Sequence, residues 1–303
     1  MSMQYPEAHS IHQNVAYSQK LRAVFMLLKP RLSFLVAFSS AFGYVLGFTG
    51  GSVNWFILGM LSLGGFLVSG AAVTINQIIE VKYDALMERT KNRPLPAGVL
   101  QKSDAIYVAI ISGALGLLLL FIFTNVATVA LSLVSLILYS FVYTPLKRVG
   151  PIAVLVGAIP GALPPLLGWV AATNSFGIEA WIIFGIQFIW QFPHFWAIAW
   201  VADEDYKKAG FKLLPSGGKK DLNTAIQIMI YTLFLIPLGL LPSQFGITGV
   251  YSAFVATICG VLFLGQTFYL MKECSREAAL KIMFGSFLYL PIVQIAFLMD
   301  KIS

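Results

Sequence analysis

Between positions 76 and 98 the chain reads NQIIEVKYDALMERTKNRPLPAG, an apolar helix that ends in acids and runs into basic residues. Asn76, Glu80 and Asp84 are spaced four apart, so on an α-helix each is rotated about 40° from the last and all lie along one face. Two carboxylates and a carboxamide in register are hard oxygen donors of the kind that hold a divalent cation. Arg89, Lys91 and Arg93 follow directly, with Pro94 and Pro96 expected to stop the helix and fix the loop. Acids that bind a divalent ion beside bases that bind phosphate oxygens make a receptor for a diphosphate. The bland alternative is a polar helix end snorkelling into water at a membrane surface. It does not account for the register of the acids.

A second cluster lies in QFPHFWAIAWVADEDYKKAGFKLLPSGGKKD, 191–221, where Asp203, Glu204 and Asp205 precede Tyr206, Lys207 and Lys208. Alone, such a run equally suits a solvated loop. Four spans after the first cluster and on the same membrane face, it suggests a tandem arrangement that brings both acid groups over one cavity. Gln187, His194 and Asp205 fall within about 40° of one another if the helix continues through them, with Gln191 nearby on the same side. Pro193 is expected to kink that helix and free the carbonyl of Ile189. Polar side chains inside a bilayer face a cavity or a neighbouring helix. For a lone histidine the ordinary role is a hydrogen bond between helices.

Long apolar helices must position these residues. The 303-residue chain is 58% hydrophobic and only 11% charged, which excludes a soluble domain and indicates a polytopic membrane protein. A span needs roughly 20 apolar residues, and nine are expected, at 24–48, 55–79, 104–123, 125–143, 151–172, 179–201, 224–242, 248–271 and 279–299. Only Thr124 and Asn125 part the third from the fourth, which predicts a tight helical hairpin. Residues 1–20, with His9 and His12, read as a mobile tail, and 21–303 as one all-α membrane domain. Of the 20 basic residues, 19 fall on one face of this arrangement and only Lys301 on the other. That partition predicts a cytoplasmic N-terminus and an external C-terminus in a cell (inner) membrane. It also explains the net charge of +7 without nucleic acid. Cys259 and Cys274 form neither a metal pattern nor a disulfide framework and read as packing residues. Pro160, Gly161, Pro164, Pro165 and Gly168 in the fifth span predict close approach of a neighbour to that helix.

Metal-binding acids, phosphate-binding bases and a surrounding membrane suit a lipid diphosphate, whose departure leaves an allylic cation in an apolar pocket. The run Asn76, Glu80, Asp84, Arg89, Thr90, Arg93, Pro94 resembles the first signature of the UbiA-type intramembrane prenyltransferases. DALMERTKNRPL, YTPLKR at 143–148, GAIPGALPPLLGW at 157–169, PHFWA at 193–197 and DYKKAGFKLLP at 205–215 resemble the branch that farnesylates haem. The resemblance implies a nine-helix bundle, farnesyl diphosphate as donor, haem B as acceptor, Mg2+ as the ion and haem O as product. It also implies partners in haem O-using oxidase assembly or haem A synthase. By position, Asn76, Glu80, Asp84 and Asp205 carry catalysis, with Asp203 joining them around the metal. Arg89, Lys91, Arg93, Lys207 and Lys208 hold diphosphate, and His194 holds the haem iron. Glu80 stands where the wider family has Asp, and Val201 lies four before Asp205 where a paired Asp is usual. The division of work among Asp203, Glu204 and Asp205 is therefore open. Alternatives are a relative acting on a quinone precursor or chlorophyllide, a carrier of an anionic metabolite, or a non-catalytic haem chaperone. Acids at one membrane face rather than at the midplane speak against the carrier.

Overall fold

A computed structural model describes residues 17–48 and 52–302, so His9, His12 and most of the expected tail lie outside the described residues. In chain order the helices are α1 (Tyr17–Leu27), α2 (Pro30–Gly47), α3 (Trp55–Asp84), α4 (Lys102–Phe123) and α5 (Val126–Ile137). A π-helical stretch, Leu138–Tyr143, carries α5 into the single turn α6 (Thr144–Leu146). Then come α7 (Ile152–Thr173), α8 (Ile178–Val201), α9 (Asp203–Lys208), the turn α10 (Pro215–Gly218), α11 (Leu222–Gln244), α12 (Val250–Glu273) and α13 (Arg276–Met299). Eight of the membrane-length segments are apolar enough to cross a bilayer, counting α5 to α6 as one. The 18-residue α2, packed on α3, α7 and α13, stands where the first of the nine expected spans falls but is not among those eight.

Three boundaries differ from expectation. Residues 17–20 are helical, not tail, and the first span is two helices broken at Leu28 and Lys29. Pro30 causes the break, because it disfavours the α conformation in the residue before it and is itself well placed at the start of a helix. Lys29 at the break has left-handed backbone, φ 43°. Finally, α3 ends at Asp84, well before Pro94 and Pro96, which sit in the turns of the following loop. By contrast α7 runs on through Pro160, Pro164 and Pro165, and α8 through Pro193. The hairpin at 124–125 forms as expected, with the Asn125 side chain accepting from the Thr128 amide and donating to the Val170 carbonyl at 2.8 Å.

The helices close a ring. α2 lies on α3 and α7, α3 on α4, α7 on α5 and α8, α8 on α11 and α13, α12 on α11 and α13, and α13 returns to α2. The α2–α7 contact is the tightest, since a Cβ on Gly43 would land on the Pro165 carbonyl and one on Gly168 on the Ser40 carbonyl. A buried amide relay ties the centre, with Gln294 donating to Gln187 at 3.0 Å and to Ser39 at 3.4 Å, and Gln187 donating to the Gly161 carbonyl at 2.8 Å. At the end opposite the acids, Lys301 Nζ donates to the carbonyls of Val45, at 2.8 Å, and Phe48. An ammonium there satisfies carbonyls that α2 leaves unpaired and complements the negative end of its dipole.

With 30 residues, α3 is about 45 Å long, against a hydrocarbon core of about 30 Å. Its last turns, which carry Glu80 and Asp84, therefore stand at the membrane face. The helix contact predicts a stability effect: Gly168→Ala forces the α2 and α7 backbones apart and lowers stability by roughly 1–3 kcal/mol. Gly59→Ala, where a Cβ meets nothing within 4 Å, leaves the unfolding midpoint in detergent unchanged or slightly raised.

Candidate active site

The apolar run of α3 buries its last polar stripe, with Asn76, Glu80 and Asp84 exposed by 1%, 4% and 0%. Asn76 Nδ2 donates to Thr144 Oγ1 at 3.0 Å, and that hydroxyl donates to the Tyr139 carbonyl at 2.8 Å. Both Glu80 carboxylate oxygens face Lys147 Nζ, at 2.9 and 3.1 Å. Asp84 Oδ2 receives Arg93 Nη1 at 2.7 Å, whereas Oδ1 is buried with no partner among the described residues. Arg93 reaches back because the loop folds onto the helix end, with Thr90 Oγ1 donating to the Asp84 carbonyl at 2.8 Å.

Lys147 is delivered by the π-helical stretch. Pro145 has no amide hydrogen to give, and the Thr144 amide bonds the Tyr139 carbonyl five residues back, the widened turn that defines a π-helix. Tyr143 then lies flat on α7, where a Cβ on Gly157 would come within 2.6 Å of its ring, and Lys147 Nζ sits 4.7 Å from the ring centre. Loss of water alone would lower the Lys147 pKa, but the charge of Glu80 more than offsets it, so the ammonium is held above its ordinary value. Lys29 completes the group, within electrostatic reach of Arg93, Lys147, Asp84 and Glu80.

Neither Lys29 nor Lys147 stands out in the sequence as a site residue. The signals available were a Lys-Pro step at the start of the first span and a lysine four residues after a tyrosine where the fourth span ends.

The second cluster does something different. Asp205 accepts from the amides of Glu88 and Arg89 at 3.3 and 3.2 Å, and Lys208 lies 3.4 Å away. Burial raises the Asp205 pKa, but these two amides and the Lys208 ammonium outweigh it and hold the carboxyl below its ordinary value. Arg89 Nη2 donates to the Tyr206 hydroxyl at 3.3 Å and its guanidinium lies over that ring. Asp203 Oδ2 sits between Lys207 at 2.8 Å and Lys220 at 3.2 Å, and Lys91 pairs with Glu88 at the surface. Of the bases singled out in the sequence, Arg93 is the one in contact with the α3 acids. Arg89, Lys207 and Lys208 are engaged in the loop clasp around Asp203, Asp205 and Tyr206, and Lys91 is held by Glu88.

One alignment expected along α8 does not form. The helix ends at Val201, Ala202 turns out of it at φ −96°, ψ 10°, and Asp205 belongs to the separate α9. Gln187 and Gln191 do share a face, against Gly161 of α7. His194 bonds Ser286 of α13. Among the described residues no three of His, Cys, Asp and Glu gather closely enough to hold one ion. The α3 stripe nonetheless suits Mg2+, because its donors are hard oxygens, its charge is compensated by displaceable bases, and Asp84 Oδ1 has a free lone pair.

A profile of the UbiA prenyltransferase family matches residues 36–290. The protoheme IX farnesyltransferase of Cytophaga hutchinsonii is 53% identical over 94% of this chain and 99% of its own. Among solved structures, a digeranylgeranylglyceryl phosphate synthase superposes with TM-score 0.77 at 21% identity, covering 93% of this chain and 98% of that one. A UbiA homologue from Archaeoglobus fulgidus bound to GPP and Mg2+ gives TM-score 0.60 at 17% identity, covering 92% and 99%. At such identities the two structures speak for the fold.

The Glu80–Lys147 pair lends itself to a double-mutant cycle. Lys147→Met leaves Glu80 buried and unpaired, and costs about 3–5 kcal/mol in detergent unfolding. Adding Glu80→Gln recovers most of that loss, whereas independent contributions would leave the double variant the least stable of the set.

Proposed function

The chain belongs to the UbiA prenyltransferase family, and from that premise we infer its reaction, the transfer of the farnesyl group of farnesyl diphosphate to a vinyl group of haem B with addition of water, giving haem O and diphosphate. Identity of 53% over 94% of the chain to a relative named protoheme IX farnesyltransferase carries this reading. The buried acids and bases at the membrane face fit its donor. A quinone precursor or chlorophyllide as acceptor has no comparable support.

In this reading Arg93, Lys147 and Lys29 receive the diphosphate oxygens, and Asn76, Glu80 and Asp84 hold Mg2+. Bound there, the ion supplies Lewis-acid neutralisation of the departing diphosphate. The farnesyl C1–O bond breaks with its electron pair going to diphosphate, and the terminal vinyl carbon forms the new bond to C1. Positive charge then rests on the vinyl carbon next to the porphyrin, where water adds and loses a proton. Apolar walls exclude water until that point.

The clasp of Asp205 on the amides of Glu88 and Arg89 closes the loop that carries Arg93. Asp203 and Asp205 join the donor set, and Arg89, Lys91, Lys207 and Lys208 the phosphate-binding set, only by exchanging their present partners. His194 is assigned to the haem iron, on the polar face of α8. The N-terminus is assigned to the cytoplasm of a cell (inner) membrane, and haem O is passed to haem A synthase or to oxidase assembly.

Purified protein incubated with haem B, farnesyl diphosphate and Mg2+ is expected to yield a porphyrin heavier by one farnesyl group and one hydroxyl group, resolved by chromatography and mass spectrometry. Asp84→Asn removes most turnover while haem B still binds, and near-normal turnover of that variant, or of the native protein in excess chelator, would overturn the metal assignment. Reporter fusions after residues 95, 148, 215 and 276 are expected on the cytoplasmic side and fusions near 50, 175 and 245 outside, and one reversed site breaks the orientation.

A further inference from the structure

His194 is held on several sides. Its ring stacks on Trp190 with centroids 4.3 Å apart at 20°, Phe195 and Phe287 meet it edge-on, and Nδ1 lies 2.9 Å from Ser286 Oγ. Ser286, fully buried on α13, has one hydroxyl proton. That hydroxyl is also 2.6 Å from the Met283 carbonyl, which can only accept. The shorter contact takes the proton, so Ser286 Oγ has lone pairs left to accept from His194 Nδ1–H. The imidazole proton is thereby fixed on Nδ1, and Nε2 carries a bare lone pair.

Nε2 has no hydrogen-bond partner among the described residues, and His194 is only partly buried. Ser286 also holds the neighbouring ring, because its backbone carbonyl accepts from Trp190 Nε1 at 3.0 Å. One residue of α13 thus fixes the tautomer of the imidazole and the plane on which it stacks.

We propose that Ser286 is a positioning residue for the porphyrin acceptor: by accepting from Nδ1 and holding Trp190, it presents His194 Nε2 to the haem iron. The inference rests on the assignment of haem B as acceptor and of His194 as its ligand. Imidazoles that bind a metal characteristically donate their second nitrogen's proton to a fixed acceptor, and loss of that acceptor typically weakens metal binding 10- to 100-fold.

The test compares haem B with metal-free protoporphyrin IX, which has the same shape without the iron, in binding titrations on the same purified variants. Ser286→Ala is expected to weaken haem B binding about 10-fold and to shift its absorption spectrum, with metal-free porphyrin binding and the KM for farnesyl diphosphate unchanged. Ser286→Thr, which keeps the hydroxyl, restores the native spectrum. If the alanine protein is not recovered, Ser286→Cys keeps the volume while offering a much weaker acceptor. Equal weakening for both porphyrins marks packing damage and overturns the proposal, as does an unchanged haem spectrum and affinity. His194→Gly with added imidazole separates this from the underlying assignment. If imidazole returns the native haem spectrum while Ser286→Ala has no effect, His194 is the ligand and the role of Ser286 fails. If His194→Gly leaves haem spectrum and affinity unchanged, the ligand assignment itself fails.

Discussion

Two buried carboxylates at the end of a membrane helix are the constraint around which the rest of the molecule is arranged. Left unpaired, each would be destabilising by several kcal/mol. The chain compensates Glu80 with Lys147 and Asp84 with Arg93. The pairings dictate structure well beyond the acids themselves. The fourth span must widen into a π-turn to bring Lys147 inward, and the loop after α3 must fold back so that Arg93 returns to the residue that ends the helix. In the proposed reaction the bases that guard the carboxylates are also the groups that would receive phosphate oxygens, so an entering metal diphosphate would find a partner for each charge it uncovers.

The two ends of the bundle are built on different principles. The end with the acids is rich in basic residues and carries the longer loops, including the clasp between α9 and the loop at 88–89. The opposite end has short connections and Lys301, whose ammonium is spent on the carbonyls of α2. That local task accounts for a cation on the side that the charge bias otherwise leaves bare. The buried acids and the longer loops lie at one end, and at the other a lysine is tied to backbone carbonyls.

Much of this was legible in the residues. The four-residue spacing of Asn76, Glu80 and Asp84 is a helical property, and the Thr124–Asn125 interruption is too short for anything but a hairpin. What the sequence concealed depends on contacts between distant segments. Lys147 reads as one more topology-setting cation until the π-turn points it at Glu80, 67 positions earlier. Lys29 is hidden in the same way, since it sits at a left-handed break between α1 and α2 that the sequence does not spell out. Asp205 misled in the opposite sense, because the angular arithmetic holds only while a helix continues, and this one stops at Val201. The spacing of His194 was visible, but its partner lies 92 positions away on another helix. The acceptor was legible only through family resemblance, as spacing and charge describe the donor and say nothing of the ring it meets.

The contacts that close the ring join the earliest span to the latest segment, with Gln294 reaching Ser39 and Lys301 reaching Val45 across 255 and 256 positions. During synthesis α2 enters the bilayer long before these partners exist, and its buried serine and terminal carbonyls have nothing to bind until residues 294–301 have been inserted. Assembly therefore cannot finish helix by helix as the chain emerges. The early helices must wait in the membrane as an open arc, with α2 already fitted against α7, until the last span arrives to close it.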